Sequence, residues 1–242
     1  MPGFVAQLKG RLTKTRYRAA TIFVDHASRF GYVHLQPDLT SRSTVQAKQA
    51  FENYAAKSRI KIKHYHCDNG RFADNAFKDS AQSNNQTISY CGVNAHFQNG
   101  IAEKRIRDLQ ESARTMLIHA KMRWPEAVNV NLWPYALREA SIALNDIPDD
   151  ESMSCKSERF HGVTVSPQLK HFHPLFCPVY ALNNALQAGR KIPKWDPRAR
   201  LGINLGRSPR HARSVHLVLD TCLLYTSPSP RDRTRSRMPS SA

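Results

Sequence analysis

Three carboxylates in this chain stand where they could act together. Asp25 ends the run TIFVD, Asp68 follows the alternating run IKIKHYHC, and Glu103 opens a long amphipathic stretch. Each alone has an ordinary explanation. Asp25 can close a strand or open a turn, and Asp-Asn-Gly is a turn sequence. An acid in a helix's first turn is favoured by the dipole, and Glu103 also has Arg107 at i+4. Together they suggest more. Where neighbouring strand ends and a helix start converge, three carboxylates would raise one another's pKa unless cations offset the repulsion. Magnesium binds through few carboxylates and keeps positions for water and phosphate. Two ions, Mg²⁺ or Mn²⁺, about 4 Å apart can activate an attacking oxygen and stabilise a leaving one at phosphorus.

The pattern around these acids predicts the elements that hold them. Strands are expected at Ala20 to Asp25, Phe30 to Leu35, Ile60 to Cys67 and Thr87 to Tyr90. Helices are expected at Ser41 to Lys57 and Asn75 to Ser83, and two longer ones at about Ile101 to Ala120 and Val130 to Asn145. On the first long helix Ala102, Ile106, Leu109, Ala113, Met116 and Ala120 form one apolar stripe. The order is mixed α/β, with helices against a sheet. Residues 1–148 therefore form a core domain, 149–170 a polar linker, and 171–220 a small basic β-rich domain built on PVYAL, ARLGINLG and SVHLVLD. Residues 221–242, ending TSPSPRDRTRSRMPSSA, have a disordered basic composition and look like translated adapter sequence.

Composition narrows the partner. Thirty-six Lys and Arg against nineteen Asp and Glu give +17, an excess that favours a polyanion, most commonly nucleic acid. No apolar run approaches the roughly 20 residues needed to cross a bilayer, so no membrane partner is expected. The five cysteines are scattered without a C-x-x-C pair, which fits a reducing compartment and neither a zinc knuckle nor a disulfide framework.

TIFVDHASRF, HYHCDNGRF and VNAHFQNGIAEKRIRDLQ resemble the three signature blocks of the retroviral-type integrase core. LWPYALREASIALN and the run from HFHPLFCPVYAL to GINLGRSP resemble the helix and small β-domain that come after that core in copia-type LTR retrotransposon Pol polyproteins. The resemblance implies an RNase H-like α/β fold and a catalytic, metal-binding triad of Asp25, Asp68 and Glu103. It further implies 3′-end trimming and joining of DNA, a homo-multimer on DNA ends, and action in the nucleus. Two departures stand out. The 34 residues between Asp68 and Glu103 are one fewer than the family's usual spacing, and Phe176 precedes Cys177 where a glycine is common. A degenerate element fragment that only binds nucleic acid, or an RNase H-like nuclease without strand joining, are the alternatives. The His/Cys zinc module expected upstream is not in the sequence.

Several residues beside the triad are candidates for DNA contact. Gln98, Asn99 and Gly100 resemble the substrate-contacting loop, although Asn99 could equally cap a helix. Asn69 and Gly70 either let backbone approach the site or make a turn. Lys104, Arg105 and Arg107 put positive charge near the triad, where a phosphate backbone would run, whereas Arg114 reads as a solvated position. His64, His66, His171, His173 and Cys177 are read as structural, and Trp124, Trp133 and Trp195 as core residues.

Overall fold

A computed structural model of the chain describes residues 17–92, 99–148, 153–164, 173–209, 211 and 214–220, with the backbone of 225–228. Strands β1 (Ala19–Val24) and β2 (Gly31–Gln36) form an antiparallel hairpin pairing Phe23 with Tyr32 and Ile22 with Val33. Side chains alternate along a strand, so the hairpin has two different faces. Ala20, Ile22, Val33 and Leu35 join one apolar cluster, and Phe23 and Tyr32 another. Helix α1 (Ser41–Ala56) covers the second face, stacking Phe51 on Phe23 with ring centroids 4.9 Å apart.

The start of α1 is tied down by short polar side chains. Thr40 caps it by accepting from Ser43 N, and Asp38 accepts from Thr40 N and from the Thr40 and Ser43 hydroxyls. Those bonds, Ser43's the largest, pull the Asp38 carboxyl down to about 2. A depressed carboxylate stabilises the fold above its unfolded pKa near 3.9, and that contribution is lost as pH falls toward the folded value. The urea midpoint should therefore drop between about pH 4 and pH 2, and Asp38→Asn should flatten that part of the profile.

Strand β3 (His64–Cys67) pairs with β4 (Thr87–Tyr90) in parallel. A parallel pair needs a crossover, supplied here by a 3₁₀ turn (Arg71–Ala73) and α2 (Asn75–Ser83). These two strands form a sheet separate from the β1–β2 hairpin. Helices α3 (Gly100–Arg123) and α4 (Trp133–Asp146) pack on the hairpin's first face. After α5 (Lys156–His161) comes a four-stranded antiparallel sheet in order β5 (Pro178–Leu182), β6 (Ala199–Arg207), β7 (His216–Asp220) and β8 (Tyr225–Pro228). A short α6 (Asn184–Gln187) follows β5. Among the described residues no helix is long and apolar enough to cross a membrane.

The expected element order is borne out through β4 and the two long helices. The stretch read as a linker contains α5, whose Phe160 is buried and stacks on Phe30 with centroids 4.4 Å apart. A capping box starts this helix: Cys155 Sγ accepts from Glu158 N while Glu158 accepts from Cys155 N. Gly162, at φ 66°, ends it in the left-handed conformation that glycine adopts without strain. In the β-rich module, Ile203, Leu205, Leu217 and Leu219 share one buried cluster with Leu109, Ala136 and Ala140 of α3 and α4. Residues 225–228, placed by composition in a disordered tail, form β8 along β7. Of the three tryptophans, Trp133 packs against the core, Trp124 is exposed, and Trp195 is 89% exposed beneath the Lys194 ammonium.

Candidate active site

The three acids stand on three different elements. Asp25 is half-buried and locks the β1–β2 turn: its Oδ2 accepts from Ser28 N at 2.7 Å and Ser28 Oγ at 2.6 Å. Its backbone closes the same turn, N–H to Phe30 O and C=O from Arg29 N, both at 2.9 Å. Asp68 is exposed immediately after β3, and Glu103 is exposed in the first turn of α3. Among the described residues no three His, Cys, Asp or Glu side chains lie close enough to hold a metal ion. No metal site is therefore shown around Asp25, Asp68 and Glu103 among the described residues. Asp25 follows β1 and Asp68 follows β3, and among the described residues β1–β2 and β3–β4 are separate ladders.

Asp68 instead lies at a groove of about 980 Å³ that runs beside β1 and α3. Basic side chains, Arg18, Arg71, Arg114 and Lys121, also line it, and Asp68 is its one carboxylate among the described residues. Asn99 holds the N-cap position of α3, yet its side chain makes no capping bond and lines the groove with Asp68. Gly100 opens the helix with free space around its Cα, and Lys104 and Arg107 are exposed on the next turns. Gln98 lies outside the described residues. Asn69 is engaged elsewhere, donating Nδ2–H to Cys91 O at 2.7 Å, which ties the end of β3 to that of β4.

Arg105 is a correction. It is only 6% exposed, donating to Asn145 Oδ1 and the Ser141 carbonyl of α4. Asn145 in turn bonds both N–H and C=O of Gly31 in β2, at 3.0 and 2.8 Å. A Cβ at Gly31 would sit 2.4 Å from Arg105 Nε, so the glycine makes room for the guanidinium. Arg105 is a tie between β2, α3 and α4 and does not face a nucleic acid. The helical periodicity carries the signal: Arg105 stands one turn before Leu109, at the border of the apolar stripe that begins at Ala102.

Of the histidines read as structural, His171 lies outside the described residues. His64 bonds Thr87 Oγ1 and Ser89 Oγ, and His66 bonds Ser89 Oγ across the β3–β4 pair. Burial, then the neighbouring Asp68 and Cys91, push the Cys67 thiol up to about 12, so it offers no nucleophile at neutral pH. One buried network escapes a reading of the sequence. Lys48, fully buried, meets Glu52 Oε1 at 2.9 Å and donates to Ser80 O, while Tyr65 donates to the same Glu52 oxygen at 2.9 Å. Burial raises the Glu52 carboxyl, but bonds from Lys48, Gln86 and Tyr65 outweigh it and leave the pKa lowered. The i, i+4 spacing of Lys48 and Glu52 is its one local sign.

No family model matches the chain. It is 24% identical over 221 residues to the retrovirus-related Pol polyprotein from transposon RE1 of Arabidopsis thaliana. That alignment takes in 89% of this chain and 14% of the polyprotein, so the chain spans a small part of its relative. Similar solved structures include the simian T-cell lymphotropic virus intasome in complex with PP2A regulatory subunit B56 gamma: 17% identity, 95% of this chain, 80% of that one, TM-score 0.49. Another is the HTLV-2 integrase catalytic core domain in complex with magnesium: 18% identity, 64% of this chain, 88% of that one, TM-score 0.46. At those scores the structural likenesses carry no argument by themselves. The likeness in sequence to a retrotransposon Pol polyprotein does, and it runs through nearly the whole chain.

Proposed function

We propose that this chain is the catalytic-core region of a retrotransposon integrase, RNase H-like in fold, which acts on DNA as a multimer in the nucleus. The observation that carries the reading is the 221-residue alignment with a Pol polyprotein, within a mixed α/β fold that keeps the order of the three signature blocks. The net charge of +17 supports a DNA substrate. In the proposed reaction a water oxygen bonds to phosphorus near a DNA 3′ end and a terminal fragment leaves. The freed 3′-hydroxyl then bonds to a phosphorus of target DNA, displacing a 3′-oxygen there. Asp68 and Glu103 are the acids assigned to this chemistry, with Asn99, Gly100, Lys104 and Arg107 guiding the backbone. Asp25 is assigned to the hairpin turn.

A second reading, binding without catalysis, is favoured because no three possible metal ligands group together among the described residues. Incubation with element-end DNA and Mg²⁺ or Mn²⁺ separates the possibilities: joined products support integration, cleaved products alone a nuclease, and neither the binding-only reading. In the binding arm, Lys104→Ala with Arg107→Ala should weaken duplex affinity about equally for all sequences. The slope of log affinity against log salt should shrink by about 2. An unchanged slope would place the DNA elsewhere.

A further inference from the structure

Strand β3 carries two histidines whose rings converge. His64 and His66 are two residues apart, so both side chains stand on one face of the strand, and both are exposed. Across the ladder, Thr87 and Ser89 of β4 pair with them in register. His64 Nε2 lies 2.9 Å from Ser89 Oγ, and His66 Nδ1 lies 2.8 Å from the same oxygen. One nitrogen of each ring therefore aims at a single point. The outer nitrogens have partners of their own. His64 Nδ1 is 2.7 Å from Thr87 Oγ1, whose own proton is directed at Lys63 O. The ring therefore donates to Thr87 and presents its Nε2 lone pair inward. His66 Nε2 is 3.5 Å from Cys91 Sγ, a sulfur that can accept a proton from the ring.

Two convergent imidazole nitrogens, each ring oriented by a bond at its other nitrogen, are a donor set that borderline divalent transition metals select. We propose that His64 and His66 form a bidentate site beside Ser89 for an ion of the Zn²⁺, Ni²⁺ or Cu²⁺ class. On binding, two waters leave the ion and two nitrogen–metal bonds of about 2.1 Å take their place. His66 then carries its proton on Nε2, toward Cys91, and both inner nitrogens give their lone pairs to the ion. Water fills the remaining positions, since among the described residues no third His, Cys, Asp or Glu joins the group. Magnesium does not compete, because it takes oxygen ligands. Both rings are exposed, so side-chain rotation alone brings them to bonding distance. This inference goes beyond the integrase reading and does not depend on it.

Titration calorimetry of the intact chain with Ni²⁺, in excess Mg²⁺ and without DNA, tests it. The affinity of the tightest Ni²⁺ site should fall by more than about tenfold in His64→Gln, and by as much in His66→Gln, because chelation needs both rings. His119→Gln, exposed on α3, is the control and should bind as the unaltered chain does. Should a β3 variant lose its cooperative urea transition, the unaltered chain gives a second reading. Substoichiometric Cu²⁺ should broaden the NMR signals of residues 64–66 and 87–89 before any others. The proposal is overturned by affinity indifferent to either β3 substitution, by an equal loss in His119→Gln, by displacement with Mg²⁺, or by broadening centred elsewhere.

Discussion

Asp68→Asn should abolish DNA cleavage and joining, a loss of about a thousandfold or more, while duplex binding persists. The side chain is exposed, so the amide costs the fold little, and among the described residues it is the one carboxylate that lines the groove. Binding through Lys104 and Arg107 does not involve it. The informative contrast is Asp25→Asn. An amide there keeps the shape but weakens two bonds to Ser28, costing about 1 kcal/mol of stability. Its cleavage products should persist. An end-labelled DNA assay on both variants decides the matter: loss of activity at Asp25 equal to that at Asp68 would restore the three-acid arrangement. Retained activity in Asp68→Asn would remove this carboxylate from the reaction.

The second large effect is on stability. Arg105→Ala should cost about 3 kcal/mol, read from the shift of a urea transition, because it strips charge-assisted bonds from buried Asn145 Oδ1 and the Ser141 carbonyl. Lys104→Ala, one residue away and exposed, should stay within about 0.5 kcal/mol. A reversed order, with Lys104 the costlier change, would mean that α3 is rotated about its axis in solution. DNA affinity of folded Arg105→Ala should be normal, separating the tie from the contacts beside it.

Much of this is legible in the sequence where local periodicity decides structure. The hairpin, α1, β3–β4 and both long helices arise from alternation, heptad-like spacing and turn residues, with β3 beginning at His64, where the pairing with Thr87 starts. Arg105 is misplaced by the sequence because a charged residue next to other charges reads as surface. Only the chain-distant Asn145 and Gly31 show that a guanidinium fits inside. That β1–β2 and β3–β4 form separate ladders among the described residues is invisible for a related reason: strand propensity does not reveal whether two strands are neighbours. Helix α5 is hidden because cysteine is an unusual cap and the surrounding composition is polar.

The cluster that unites Leu109, Ala136 and Ala140 with Ile203, Leu217 and Leu219 has an architectural consequence. The leading α/β half and the trailing sheet were shaped to each other and cannot be recombined freely. A chimera that joins this sheet to the first half of a distant homologue inherits mismatched interior side chains at the graft. Inheritance of the two halves is therefore coupled by interior fit, independently of any selection on chemistry.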